Sequence, residues 1–201
     1  MANTLPLCIQ SFRQSVEPLI NHSIYDADII ATFGPSEERT IMALAPNHYE
    51  KCVSDYLHYY EQLHYMCPVP FDGMKEILQT LKNRGVRIAM VTGKGRHSTD
   101  ISLRHFNLTH FFEMIDTGSP KGARKAKGIQ MVIEGLTGIE KDEVIYVGDA
   151  PSDITASRKV GIPIVAAAWA DTSEPEKLQE IQPDLLFYTI KEFNYWMLNN
   201  I

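Results

Sequence analysis

Val144-Ile145-Tyr146-Val147-Gly148-Asp149-Ala150-Pro151-Ser152-Asp153 is the stretch whose reading decides the fold. Four apolar residues stop at a glycine, two aspartates follow at i and i+4, and Ile154–Arg158 reads on as a helix. A short, wholly apolar run between turn signals is what a strand buried on both faces of a parallel sheet looks like. Open α/β sheets place their ligand sites just beyond the carboxyl ends of such strands. Asp149 and Asp153 therefore stand where an oxygen-seeking divalent cation would be held, and Mg2+ prefers a few carboxylates together with water and phosphate oxygens. The plainer reading is that both only cap the next helix. One would suffice for that, so the pair favours a metal or acid–base site.

Upstream and downstream of this stretch, strand and helix alternate. Met74, Ile77, Leu78 and Leu81 have helical spacing, and Gly85 closes that helix. Val86–Val91 predicts a buried strand ending in Thr92-Gly93-Lys94-Gly95. A helix from about Ser98 to Phe106 and a short strand near Met114–Asp116 follow. Ile129, Val132, Ile133 and Leu136 repeat the helical spacing. After the opening stretch come a strand at Ile164–Ala168, a helix near Glu174–Glu180, a strand at Leu185–Tyr188 and a terminal helix over Ile190–Leu198. This order means parallel strands joined by right-handed crossovers, an α/β fold with a Rossmann-like parallel sheet.

The first third reads differently. Leu5, Ile9, Phe12, Val16 and Leu19 share one helical face, with Thr4 and Pro6 as a start signal. A shorter helix lies around Asp28–Thr32, Gly34-Pro35 is a turn, and Ser36 can cap a segment reaching Leu44. A long amphipathic helix over about Asn47–Tyr65 carries Val53, Tyr56, Leu57, Tyr60 and Leu63 on a stripe. Cys67-Pro68-Val69-Pro70-Phe71-Asp72-Gly73 then breaks the pattern. We place the boundary there, between an all-helical cap domain, 1–67, and an α/β core domain, 68–201.

Composition narrows the function classes. A net charge of −6 without a basic cluster argues against nucleic acid and anionic membrane as partners. Cys8, Cys52 and Cys67 form neither a disulfide framework nor a zinc pattern. With no leader-like start and no membrane-length apolar run, a cytoplasmic protein is expected. The seven histidines have no metal-ligand spacing, and His58, His64, His97, His105 and His110 read as packing or surface residues. Nothing in the sequence speaks to oligomeric state.

Two further segments bear on chemistry. Thr92 ends a strand and precedes two glycines that flank a lysine; a hydroxyl and free amides there make a phosphate cradle or a simple turn. Neither a P-loop nor a dinucleotide fingerprint can be laid over it. Lys121, Arg124, Lys125 and Lys127 cluster before the helix that leads into the opening strand. One of these could neutralise a phosphate; Lys125 suits the helix start best, Lys127 is second, and the others read as solvated.

Thr92 after a strand, a lysine before a helix, and Gly148-Asp149…Asp153 after a strand come in an order that resembles motifs two, three and four of the haloacid dehalogenase superfamily, in its phosphoglycolate-phosphatase-like branch with a helical cap. The resemblance implies a Mg2+-dependent phosphatase of a small phosphorylated metabolite. It implies that Thr92 and the Gly93 amide bind phosphate, that Lys125 balances charge, and that Asp149 ligates Mg2+ with Asp153 as second ligand or acting through water. It also implies that the cap loop with Gly34, Ser36 and Glu37 selects the substrate. Glu37 stands where some sugar-phosphate relatives carry arginine, which argues against a second anionic group on the substrate.

The chain departs from that family at its first motif. The family's D-x-D-G-T follows a central strand and supplies an aspartyl nucleophile and an acid/base aspartate. Here Met1-Ala2-Asn3-Thr4-Leu5-Pro6 matches the stretch just after it, so the central first strand and both aspartates are absent from this sequence. Asp26-Ala27-Asp28, inside the helical third, lacks the flanking strand and Gly-Thr and is no substitute. A gapped sheet without catalytic turnover is the expectation. A sequence that starts late accounts for this departure; the alternative is a non-catalytic phosphate- or partner-binding pseudoenzyme. A receiver-like or flavodoxin-like binding module fits the helical first third less well.

Overall fold

Apolar spacing sets the helices of the first third. A computed structural model describes all 201 residues, and in it α1 (Leu5–Ile20) buries Leu7, Cys8, Ile9, Phe12 and Val16 along one side. Asn21 ends it in the left-handed region, at φ 56°. Then come α2 (Asp26–Ile30), α3 (Glu37–Leu44) and α4 (Tyr49–Gln62). The expected long helix over Asn47–Tyr65 is α4 with a single tight 3-10 turn at each end, Pro46–His48 and Leu63–Met66. Cys52, Tyr56 and Tyr60 are its buried side. Phe12 and Tyr56 meet with ring centroids 4.4 Å apart, and Tyr60 lies 5.7 Å further along. Thr4 and Ser36 occupy the N-cap positions of α1 and α3, but neither side chain bonds the helix.

All strands lie after residue 68. In order the elements are α5 (Met74–Asn83), β1 (Ala89–Val91), α6 (Arg96–Phe106), β2 (Met114–Asp116), α7 (Lys125–Gly135), β3 (Tyr146–Gly148), α8 (Pro151–Val160), β4 (Ile164–Ala167), α9 (Pro175–Glu180), β5 (Leu185–Phe187) and α10 (Ile190–Asn200). Every strand pairing is parallel, in register Val91↔Asp116, Gly148↔Ala166 and Ala166↔Leu186. No helix is long and apolar enough to cross a membrane.

The sheet is split. β1 pairs only with β2, β3 pairs with β4 and β4 with β5, and no ladder joins β1 to β3. Burial follows the pairing. β4, bonded on both edges, is buried at every residue, whereas β1 is half-buried throughout and Val147 of β3 is 39% exposed. The expectation that the run ending at Gly148 is buried on both faces therefore holds only in part, because its neighbour on one side is missing. The strand expected over Val86–Val91 is also shorter; Val86 turns its N–H back to Leu81 O and the ladder starts at Ala89.

Between the two part-sheets lies a cavity of about 480 Å3, lined by residues 86–94 and 145–149 and also by Met1, Ala2 and Thr4. Two features cross it. Helix α7 packs on β1, β2 and α8. The Tyr146 hydroxyl, on β3, lies 3.3 Å from the Val91 carbonyl of β1. The largest apolar cluster runs from α1 and α4 into Leu78, Ile101, Leu103 and Phe106, so the helical third and the strand-bearing part share packing.

His64, in the turn after α4, is buried with its ring stacked 4.2 Å from His105 and its Nε2 3.3 Å from Ser102 Oγ. Burial first, then the neighbouring His105, pushes its pKa down to about 4. A histidine held neutral in the fold binds a proton more readily when unfolded, so stability is full above the ordinary value of about 6.5 and falls as pH drops toward 4. We predict a lower Tm at pH 5 than at pH 7, with a smaller drop in His64→Gln, as followed by circular dichroism. An equal drop in both proteins would assign the pH dependence elsewhere.

Candidate functional site

Thr92 extends the β1–β2 ladder by one bond, its N–H donating to Asp116 O at 3.0 Å. The chain then turns through Gly93, Lys94 and Gly95 into α6. Thr92 Oγ1 accepts the Lys94 N–H at 3.2 Å, which leaves the hydroxyl proton free for another acceptor. The turn is pressed against residues 117–119: Gly118 N–H donates to Lys94 O at 2.7 Å. A Cβ on Gly118 would stand 2.0 Å from Gly93 O, so only glycine allows that approach.

From the other side, the loop Gly34–Glu37 lies on the same turn. Glu37, buried, accepts the Gly95 N–H at 2.6 Å through Oε2. Gly95 is the N-cap of α6, so the Glu37 carboxylate satisfies an orphan donor at the positive end of that helix. Ser36 is fully buried and its Oγ has no partner. Glu37 thus clamps the helical third to the turn.

The opening stretch closes the opposite wall. Strand β3 ends at Gly148, Asp149 follows, and Pro151 starts α8. A Cβ on Gly148 would fall 2.4 Å from Asp153 Cβ and Cγ, so the glycine lets the helix start fold back onto the strand. Asp153 is buried. It accepts the Ala150 N–H and the Tyr146 hydroxyl, each at 3.0 Å, and pairs with Lys125 Nζ at 2.6 Å. Burial, and then Asp153, raise the Tyr146 pKa, which keeps its phenol protonated as a donor. Lys125, the first residue of α7, also reaches Ser152 Oγ at 3.3 Å. Asp149 is exposed to the cavity and takes part in no hydrogen bond or ion pair with the protein.

Thr92, Gly93, Lys125, Asp149 and Asp153 therefore line a single cavity at the carboxyl ends of β1 and β3. Lys121 and Lys127 are exposed and do not line it, and Arg124 pairs with Asp116 at 3.0 Å. Asp26 and Asp28 are on the surface, Asp26 paired with Arg13. Three contributors had little or no signal in the sequence. Tyr146 reads there only as strand core, Gly118 only as a loop residue, and Lys94 only as the residue between two glycines.

Residues 1–167 match the haloacid dehalogenase-like hydrolase family, and the chain belongs to that family. Among individual proteins it is similar to pyrophosphatase PpaX of Halalkalibacterium halodurans, 27% identical over 197 residues with 92% of this chain and 90% of that protein covered. Pyrophosphatase PpaX of Anoxybacillus flavithermus is 25% identical over 195 residues, with the same shares covered. In fold it resembles a hydrolase of the haloacid dehalogenase-like family from Streptococcus pneumoniae (TM-score 0.74, 20% identity, covering 98% of this chain and 92% of that one). A predicted phosphoglycolate phosphatase from Haemophilus somnus aligns with TM-score 0.76 at 19% identity, covering 96% and 92%.

The donor set can be tested against the Mg2+ that the family implies. No three histidine, cysteine or carboxylate side chains converge anywhere in the chain. Asp153 already has three donors on its carboxylate and is held against Lys125 and Tyr146. Asp149 is free, and one carboxylate fits a Mg2+ that keeps water and phosphate oxygens as its other ligands.

The Gly118 contact gives a direct check on the turn. Gly118→Ala must displace the Gly93 carbonyl, and we expect a loss of about 1–3 kcal/mol in urea denaturation. Unchanged stability would mean that the turn is not pressed against residue 118.

Proposed function

We propose that the chain carries the phosphoryl-binding part of a phosphatase site for a small phosphorylated metabolite. The observation that carries this reading is the convergence of a free hydroxyl, a glycine-flanked turn, a fixed lysine and a free carboxylate on one cavity at neighbouring strand ends. Thr92 Oγ and the Gly93 N–H would donate to phosphoryl oxygens. Lys125 has a third ammonium proton beyond those used on Asp153 and Ser152, and would place positive charge against the same group. Asp149 would hold Mg2+, which when bound would supply further charge neutralisation to a phosphoryl group. Phosphoryl transfer depends mainly on such positioning and electrostatics.

What this sequence does not supply is an obvious attacking carboxylate. The resemblance implies an aspartate at the end of a strand between β1 and β3, and that position is the cavity. Asp153 is bound by three donors, and Asp149 is the carboxylate assigned to the cation. For this chain we expect saturable binding of orthophosphate, weakened about tenfold by Lys125→Gln, as one charge-assisted contact is worth. With Mg2+ present, no turnover of p-nitrophenyl phosphate above background is expected. Failure to bind orthophosphate would overturn the reading. Turnover abolished by Asp149→Ala would show that another residue of the chain attacks while Asp149 serves the cation, and would refute the inactivity.

A further inference from the structure

We propose that Cys8 and Lys94 form a redox-sensitive pair, in which oxidation of the Cys8 sulfur by hydrogen peroxide leads to a covalent sulfur–nitrogen bond with the Lys94 side chain. The bond would tie helix α1 to the turn after β1 and remove the Lys94 charge from the cavity wall. The inference is independent of the phosphate-binding reading, since its test reads a bond and not a ligand.

Three observations carry it. Lys94 Nζ lies 2.9 Å from Cys8 Sγ, a contact between two residues 86 positions apart. On its other side the same Nζ sits 4.7 Å from the ring centroid of Tyr60, so the amine is held against the sulfur from both sides. Second, Lys94 lines the cavity while Cys8 is only 8% exposed, an arrangement that suits a small oxidant better than a bulky disulfide reagent. Third, the other two cysteines have different surroundings. Cys52 is fully buried, the Cys67 thiol has only a long contact to Val69 O at 3.9 Å, and neither is hydrogen-bonded to a lysine. Burial pushes both of those thiols up, away from the thiolate that reacts with peroxide.

The chemistry balances with one peroxide. The Cys8 sulfur attacks a peroxide oxygen; an S–O bond forms, the O–O bond breaks, and the departing hydroxide takes the proton shared between sulfur and nitrogen. That leaves a sulfenic acid beside a neutral amine, with one water released. Sulfenic acids condense with nearby nitrogen to a sulfenamide. Here the Lys94 lone pair attacks the sulfur, the S–N bond forms, the S–O bond breaks, and the hydroxide leaves with one amine proton as a second water. Sulfur is oxidised by two electrons and the peroxide is reduced to water. The environment of Lys94 favours the second step. Burial disfavours its charge, and the Cys8 sulfur and Tyr60 are what keep it protonated; once the sulfur carries oxygen, the larger part of that support is gone. An amine already in contact with its electrophile reacts without the entropic cost of bringing the two together.

The alternative is that Lys94 only donates a hydrogen bond to Cys8. Intact-mass measurement and peptide mapping of the full chain after hydrogen peroxide treatment separate the two. We expect a product lighter than the reduced protein by two hydrogens, with the peptides holding Cys8 and Lys94 joined, and release of the link by dithiothreitol. Cys8→Ser is expected to abolish it, and Cys52→Ser and Cys67→Ser to leave it. Lys94→Arg is expected to lose the link and to accumulate species that gain oxygen instead, the sulfinic and sulfonic acids of Cys8. Mapping of the unsubstituted protein decides the matter even if a variant does not fold. A Cys8–Cys67 disulfide, an oxygenated Cys8 with no link to Lys94 in the unsubstituted protein, or a Cys8 that peroxide leaves unchanged would each overturn the inference.

Discussion

Two parallel strand edges, those of β1 and β3, face each other across a cavity where a sheet would have hydrogen bonds. Unpaired backbone groups that cannot reach water cost about 1–3 kcal/mol each, and parallel strands are normally paired and covered on both faces. The half-buried state of β1 and the exposed Val147 are the local signs of that constraint. What keeps the halves together is packing from one side, helix α7 lying over β1, β2 and α8, and the Tyr146 hydroxyl reaching across to Val91 O. The same gap places the carboxyl ends of β1 and β3 around an accessible space, and the candidate site is that space.

Within the site, Asp153 is the organising charge. A buried carboxylate is costly unless several donors satisfy it, and here an amide, a phenol and an ammonium do so from three different elements. The consequence for chemistry is that Lys125 is fixed with one of its protons spent, while Asp149, four residues earlier, is left free. Two carboxylates of similar appearance in the sequence thus have different surroundings, set by which one the fold buries.

The helical third contributes more than cover. Its aromatic series Phe12, Tyr56 and Tyr60 continues the apolar cluster into α6, and its polar contacts meet the Thr92–Gly95 turn at two consecutive residues. Cys8 and Tyr60 hold the Lys94 ammonium, and Glu37 holds the Gly95 amide. A turn gripped from both the strand side and the helix side has little freedom, which suits a loop whose amides and hydroxyl must be aimed before a ligand arrives.

The alternation of strands and helices, the all-helical first third and the split in the sheet were legible from residue patterns, because each depends on local periodicity or on an absent apolar run. The positions that line the cavity were legible for a related reason: a chemistry-bearing residue directly after a parallel strand must lie at that strand's carboxyl end. Sequence by itself therefore determined which strand ends Thr92, Asp149 and Asp153 follow. Only the tertiary structure decided that Asp153 is consumed by Lys125 and Tyr146, that Glu37 grips Gly95, and that Lys94 lies on Cys8 without a carboxylate. Apart from Tyr146 and Asp153, seven positions apart, those pairings join residues 28 to 86 positions apart in the chain, and no local pattern encodes which buried donor will meet which acceptor once the elements have packed.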